Sequence, residues 1–155
     1  MLGTEETQVS LIIISPSVKL HYRNGESVTL KYVIDNHKSP DIYLITNEAR
    51  FLYAPQLGQW SIHLDKVIIQ DESFELPELE KLSGNQRLYG EVSFALNVYD
   101  PGAFRLYLSA GYLEAAGMEA ISKQSRQSTE ELERLFDNLQ QVIRAEPVEV
   151  YVTVT

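Results

Sequence analysis

The chain carries three histidines, His21, His37 and His63, far apart in sequence. No two have the i, i+4 spacing that puts imidazoles on one helix face, and no HExxH, GxSxG, Walker A or EF-hand pattern is present. His37 falls in a turn-rich loop and His63 on the outward parity of its strand, so both are expected to be surface histidines. A Ser-His-Asp group could still assemble in space, but no nucleophile elbow supports one. The chain has no cysteine, which excludes disulfides, thiolate catalysis, zinc–thiolate sites and iron–sulfur clusters. Catalytic residues and cofactors are therefore expected to be absent.

Carboxylates concentrate in the stretch DESFELPELEKLSG, where Asp71, Glu72, Glu75, Glu78 and Glu80 offer the hard oxygens that Ca²⁺ prefers. The stretch lacks the alternating ligands and turn glycine of a calcium loop. A solvated acidic loop with no metal is the expectation, revised only if two or three carboxylates face inward with Asp65.

The aromatic residues are more suggestive. Tyr89, Tyr99, Tyr107 and Tyr151 sit on the parity opposite the apolar face of their strands. With Trp60 they could build a surface for carbohydrate or peptide, because tyrosine offers a large amphipathic area at low entropic cost. The alternative, which is preferred, is that a helical insertion lies across the sheet and buries these tyrosines.

Net charge narrows the partners. At −9, the chain does not suit nucleic acid, whose phosphates need clustered Lys and Arg, nor an anionic membrane surface. The opening MLGTEETQVS has neither the basic nor the apolar region of a signal peptide, and no apolar run reaches the ~20 residues of a spanning helix.

The elements that must position these residues are mostly strands. At 155 residues the chain is expected to be a single domain over 1–155, with residues 1–8 a disordered lead-in. Val9–Ile14 is β-rich and stops at Ser15-Pro16, which places it near a sheet edge. Val28, Leu30, Tyr32 and Ile34 alternate with polar or outward residues, as do Trp60, Ile62 and Leu64. Ile42–Ile45 and Phe51–Tyr53 read as short strands, and 71–84 as a long loop. Leu88–Val98 and Phe104–Tyr112 alternate over a greater length, and Asp100-Pro101-Gly102 between them reads as the turn of an antiparallel hairpin. Residues 113–145 read as a helical insertion. Ser128 and Glu131 have capping-box spacing, and Leu132, Leu135, Phe136, Leu139, Val142 and Ile143 recur at helical intervals until Pro147. Val148, Val150, Val152 and Val154 form a last strand expected to pair beside Phe104–Gly111. The fold class is mainly β: a two-sheet antiparallel immunoglobulin-like sandwich with a helical insertion before the last strand.

The segments LKYVIDN, IYL, the GQW turn and PGAFRLYLSAGY resemble bacterial immunoglobulin-like or fibronectin-type sandwiches, in which a Pro-Gly-aromatic turn commonly opens the penultimate strand. The layout Asn36, Gly58-Gln59-Trp60, Pro101-Gly102 is similar to the bacterial intracellular proteinase-inhibitor type of such domains. The resemblance covers about residues 26–112. Phe104 stands where many of these domains have Tyr, and the helical segment departs from the pattern. The resemblance implies binding rather than catalysis and transfers no functional residue.

Taken together, the sequence points to a non-catalytic protein-binding or assembly module whose partner is another protein. A homo-oligomer through an edge strand such as Val9–Ile14 fits the same expectation. The alternatives are a proteinase inhibitor acting through an extended loop at 36–41 or 71–86, and a carbohydrate-binding module using Trp60 and the tyrosines.

Overall fold

The structure, a computed structural model, describes residues 9–13, 20–37, 41–46, 49–67, 74–123 and 128–153. The expected disordered lead-in at 1–8 lies outside them, as do Asp71 and Glu72. In chain order the strands are β1 (Val9–Ile13), β2 (His21–Arg23), β3 (Ser27–Asn36), β4 (Ile42–Ile45), β5 (Arg50–Ala54), β6 (Gln59–His63), β7 (Leu79–Leu82), β8 (Arg87–Ala95) and β9 (Gly102–Glu114). Two helices follow, α1 (Ala115–Lys123) and α2 (Thr129–Leu139), then β10 (Gln141–Arg144) and β11 (Val148–Thr153).

These strands form an immunoglobulin-like sandwich. One sheet has the order β1-β3-β8. The other runs β2-β11-β9-β4-β7, with β10 and the β5–β6 hairpin also joined to it through β9. The period-2 pattern decides what lies between them. Val28, Leu30 and Ile34 from β3 face Ile62 from β6, Phe104, Leu106 and Leu108 from β9, and Val150 and Val152 from β11, all buried in one core. Not every pairing is antiparallel: β2 runs parallel to β11, and β6 parallel to β9.

The long alternating stretch is not a hairpin. β8 pairs with β3 and β9 with the opposite sheet, so residues 96–101 cross the sandwich. Leu96 and Val98 are buried in that crossing, and the Asn24 side chain accepts from the Val98 N–H and donates to its carbonyl. A turn at Asp-Pro-Gly fixes a change of direction but not which sheet receives the next strand. The presumed loop at 71–84 is shorter than expected, because β7 pairs with β4 inside it. The chain beyond β7 turns tightly at Asn85, whose φ is 64°.

The insertion also begins and ends differently from the sequence pattern. Leu113 belongs to β9, and α2 stops at Leu139. Val142 and Ile143 are strand residues, paired with Gly111 and Ala110. The stretch of β9 beyond β11 needs backbone partners, and two β-branched residues suit that edge. The Ala145 N–H then donates to Leu108 O, which carries the edge on to β11.

The helices pack on their own sheet. Ser128 caps α2 by accepting from the Glu131 N–H, and Phe136 is fully buried beside Ile45, Phe74, Leu113 and Ile121. The tyrosine they partly cover is Tyr43, not Tyr89, Tyr99, Tyr107 or Tyr151.

Candidate functional site

The outer face of the larger sheet is built from alternate residues of four strands. Antiparallel register sets Arg105 of β9 opposite Glu149 of β11, and Ala103 opposite Tyr151. On the other side of β9, parallel pairing sets Gln59 beside Arg105 and Ser61 beside Tyr107. The turn before β6 adds Leu57, 72% exposed. Leu57, Gln59, Arg105, Tyr107, Glu149 and Tyr151 thus line an open groove of about 400 Å³.

The groove contains an ion pair. Arg105 Nε lies 3.3 Å from Glu149 Oε1. Hydrogen bonds to Tyr107 first and Glu149 second hold the guanidinium above its ordinary pKa. At the rim, Tyr151 stacks on His21 of β2, ring centroids 5.5 Å apart and 22° from parallel. One face of Tyr151 is therefore occupied, while the side chain as a whole stays half exposed.

The other expected aromatic residues lie elsewhere, so the row of Tyr89, Tyr99, Tyr107, Tyr151 and Trp60 does not form one face. Tyr89 is on the outer face of the opposite sheet, because β8 and β9 belong to different sheets. Tyr99 sits in the crossing segment, 82% exposed, and its backbone N–H donates to the Tyr53 hydroxyl. Trp60 shares the inward parity of Ile62. It stacks on Tyr53 at 4.8 Å and tilts against Phe94 at 5.4 Å, and its buried Nε1 has no hydrogen-bond partner among the described residues.

Among the described residues two Ser-His-Asp groups assemble, and neither has the arrangement of a catalytic triad. In the first, β6 lies beside β9 so that His63 meets Ser109 in register, half-buried rather than on the surface as expected. Ser109 Oγ donates to Asp65 Oδ1 at 2.7 Å and lies 3.1 Å from His63 Nδ1, which is itself 2.9 Å from Asp65 Oδ1. Hydroxyl and carboxylate crowd one ring nitrogen, whereas a general base needs the nucleophile on one nitrogen and the carboxylate on the other. In the second, Ser10 Oγ lies 2.9 Å from His37 Nε2, but His37 Nδ1 is 3.6 Å from Asp35 Oδ2, too far for a hydrogen bond. Arg87 Nε holds that same carboxylate oxygen at 2.9 Å and offsets the charge an imidazolium would need. The sequence signal for both groups was parity, which puts residues on a face but does not say which strands adjoin.

Among the described residues, no group of three or more His, Asp or Glu could hold a metal ion. Glu75, Glu78 and Glu80 are exposed, and Asp65 is engaged by Ser109 and His63. Of the loops considered for protease binding, 38–40 and 71–73 lie outside the described residues, and 79–82 is strand. No helix among the described residues is long and apolar enough to cross a membrane.

No protein-family model matches the chain, and no curated protein is similar to it at a significant level. Among solved structures it is similar to the ASH / PapD-like domain of human CEP192 (PapD-like domain 7), with 12% identity, a TM-score of 0.43, and coverage of 100% of this chain and 90% of that one. At that distance no residue or partner carries over.

Proposed function

We propose that the chain is a non-catalytic protein-binding module that takes an extended polypeptide segment in the groove of the larger sheet. The observation that supports this reading is the grouping of Tyr107, Tyr151, Arg105 and Leu57 on one open surface. Aromatic and arginine side chains are enriched among the residues that carry binding energy at protein interfaces, and an Arg105–Glu149 pair among tyrosines and Leu57 favours a segment of mixed charged and apolar character. Against acyl transfer stand the crowding of hydroxyl and carboxylate on one nitrogen of His63 and, at His37, the 3.6 Å gap to an Asp35 carboxylate already held by Arg87.

The test is quantitative affinity capture with two baits, the natural chain and an Arg105→Glu, Tyr151→Ala variant of unchanged circular dichroism. Proteins enriched by the first bait and lost with the second support the groove. Identical enrichment with both baits would remove it from the reading, and binding to a glycan array abolished by Tyr151→Ala would favour a carbohydrate ligand instead.

A further inference from the structure

Sheet edges offer unpaired N–H and C=O groups to any chain that reaches them, and folded proteins usually shield them. Here β2 is three residues long, β7 is four with Glu80 and Lys81 exposed, and β5 is five and opens with Arg50. β1 is five residues long and lies against β10 of the other sheet. β8 differs from all of these. It runs nine residues, RLYGEVSFA, with no proline and no lysine. Its register with β3 is unbroken from Ser27↔Ala95 to Asp35↔Arg87, so no bulge bends it away. Among the described residues no strand pairs with its other edge.

The ladder fixes which groups that edge presents. The Leu96 N–H donates to Glu26 O and the Asn36 N–H to Gln86 O, so the pairs that exchange hydrogen bonds with β3 carry even numbers on β8. Alternation then turns the N–H and C=O of Arg87, Tyr89, Glu91, Ser93 and Ala95 outward. The side chains of these residues also lie on the outer face, and Tyr89 is 65% exposed.

We infer that β8 pairs antiparallel with β8 of a second copy of this chain, about a two-fold axis at Tyr89. This arrangement sets Arg87 of each copy against Glu91 of the other and stacks the two Tyr89 side chains between those pairs. On the inner face it sets Leu88 against Gly90. Moving the axis to Glu91 opposes two carboxylates, and moving it to Arg87 opposes two guanidiniums, so charge complementarity selects Tyr89. A two-fold contact must be self-complementary, and a strand with opposite charges two residues either side of a central tyrosine meets that requirement. Within its own chain Arg87 already hydrogen-bonds Tyr89 and reaches Asp35 through Nε, which anchors both side chains of the contact, and of its five donors others are left for Glu91 of the second copy. The dimer would join two three-stranded sheets into one of six. It uses the sheet opposite the proposed groove, so either idea can fail without the other.

The experiment is sedimentation velocity across the micromolar range on the full chain and three variants. The natural chain is expected to dimerise with concentration. Glu91→Arg opposes two arginine pairs, Arg87→Glu opposes two glutamate pairs, and each should weaken the dimer by about tenfold or more. An equimolar mixture of these two variants restores both pairs and should form a heterodimer. Tyr89→Pro removes an outward N–H without touching the β3 ladder, and should give a folded monomer by circular dichroism. A natural chain that stays monomeric throughout, a dimer insensitive to Tyr89→Pro, or folded variants whose mixture stays monomeric would each overturn the inference.

Discussion

Gln140 is the residue on which the placement of the helices turns. It caps α2 at its C-terminus with φ −66° and ψ 129°, and its side-chain amide reaches across to Lys66. There it behaves like a neighbouring strand, accepting from the Lys66 N–H at 2.8 Å and donating to the Lys66 carbonyl at 3.1 Å. Gly111 makes room for this clamp, since a Cβ there would stand 2.4 Å from Gln140 Oε1 and 2.8 Å from Asp65 Cβ. Gln140→Ala removes both partners from a half-buried backbone group. At a net value of roughly 0.5–1.5 kcal/mol per bond, the loss is about 1–3 kcal/mol. For a chain of this length that lowers the melting temperature by roughly 2–4 °C per kcal/mol. Gln140→Glu is the sharper test. Ionised, its second oxygen would face the Lys66 carbonyl with no proton to donate, so the fold favours the neutral acid and raises its pKa. The stability this confers is complete below the unfolded glutamate pKa of about 4.3, and is lost as pH rises through the folded value. Thermal melts of natural chain, Ala and Glu variants at several pH values read this directly. A Glu variant as stable as the natural chain at neutral pH, or an Ala variant with an unchanged melting temperature, would refute the clamp.

Three other outcomes test the same structure. Phe136 is completely buried under the sheet, so Phe136→Ala should cost about 3–5 kcal/mol in chemical denaturation; a helix pair that merely hung from the domain would lose far less. Ser128→Ala removes the oxygen that accepts from the Glu131 N–H at 3.3 Å, and should cost about 0.5–2 kcal/mol in the same assay. Tyr32 is pushed above the ordinary 10.0 by burial, and Tyr112 likewise by burial and then by Glu114. The fold favours both neutral phenols, so the stability they contribute is intact below about pH 10 and is lost as pH rises through their folded values. Absorbance titration should show a late-ionising component that shrinks in Tyr32→Phe and again in Tyr32→Phe, Tyr112→Phe.

Strand positions and facing were legible because alternation is a local property. Trp60, Ile62, Phe104 and Val150 all point inward as their parity requires. The Ser128 cap was legible for the same reason, since its partner lies three residues away. What was not legible was adjacency. Nothing near Asp100-Pro101-Gly102 says that β8 and β9 go to opposite sheets, and that one fact separates Tyr89 from Tyr107. Val142 and Ile143 continue the helical spacing of α2 by coincidence of period, and only the unfilled edge of β9 draws them into a strand. The polar groups at Ser109 and at Asp35 join residues 44 and 52 positions apart, beyond the reach of any spacing rule.

The groove and the insertion are two consequences of one strand. β9 is 13 residues long, twice what β11 alone can cover, so its two halves acquire different neighbours. Over the second half β10 completes the edge, while Leu113 meets Ile121 and Phe136 beneath the helices and Gly111 takes Gln140 at close range. Over the first half no helix of the described residues arrives, and Arg105 and Tyr107 stay at the surface beside Glu149 and Tyr151. The boundary falls at Ser109, whose hydroxyl is turned into the Asp65 and His63 contact instead of toward solvent. The clamp at Lys66 holds the helices to the far side of that boundary. With Phe136 buried beneath them, the residues that fix the insertion therefore also decide how much of the β9 face stays uncovered.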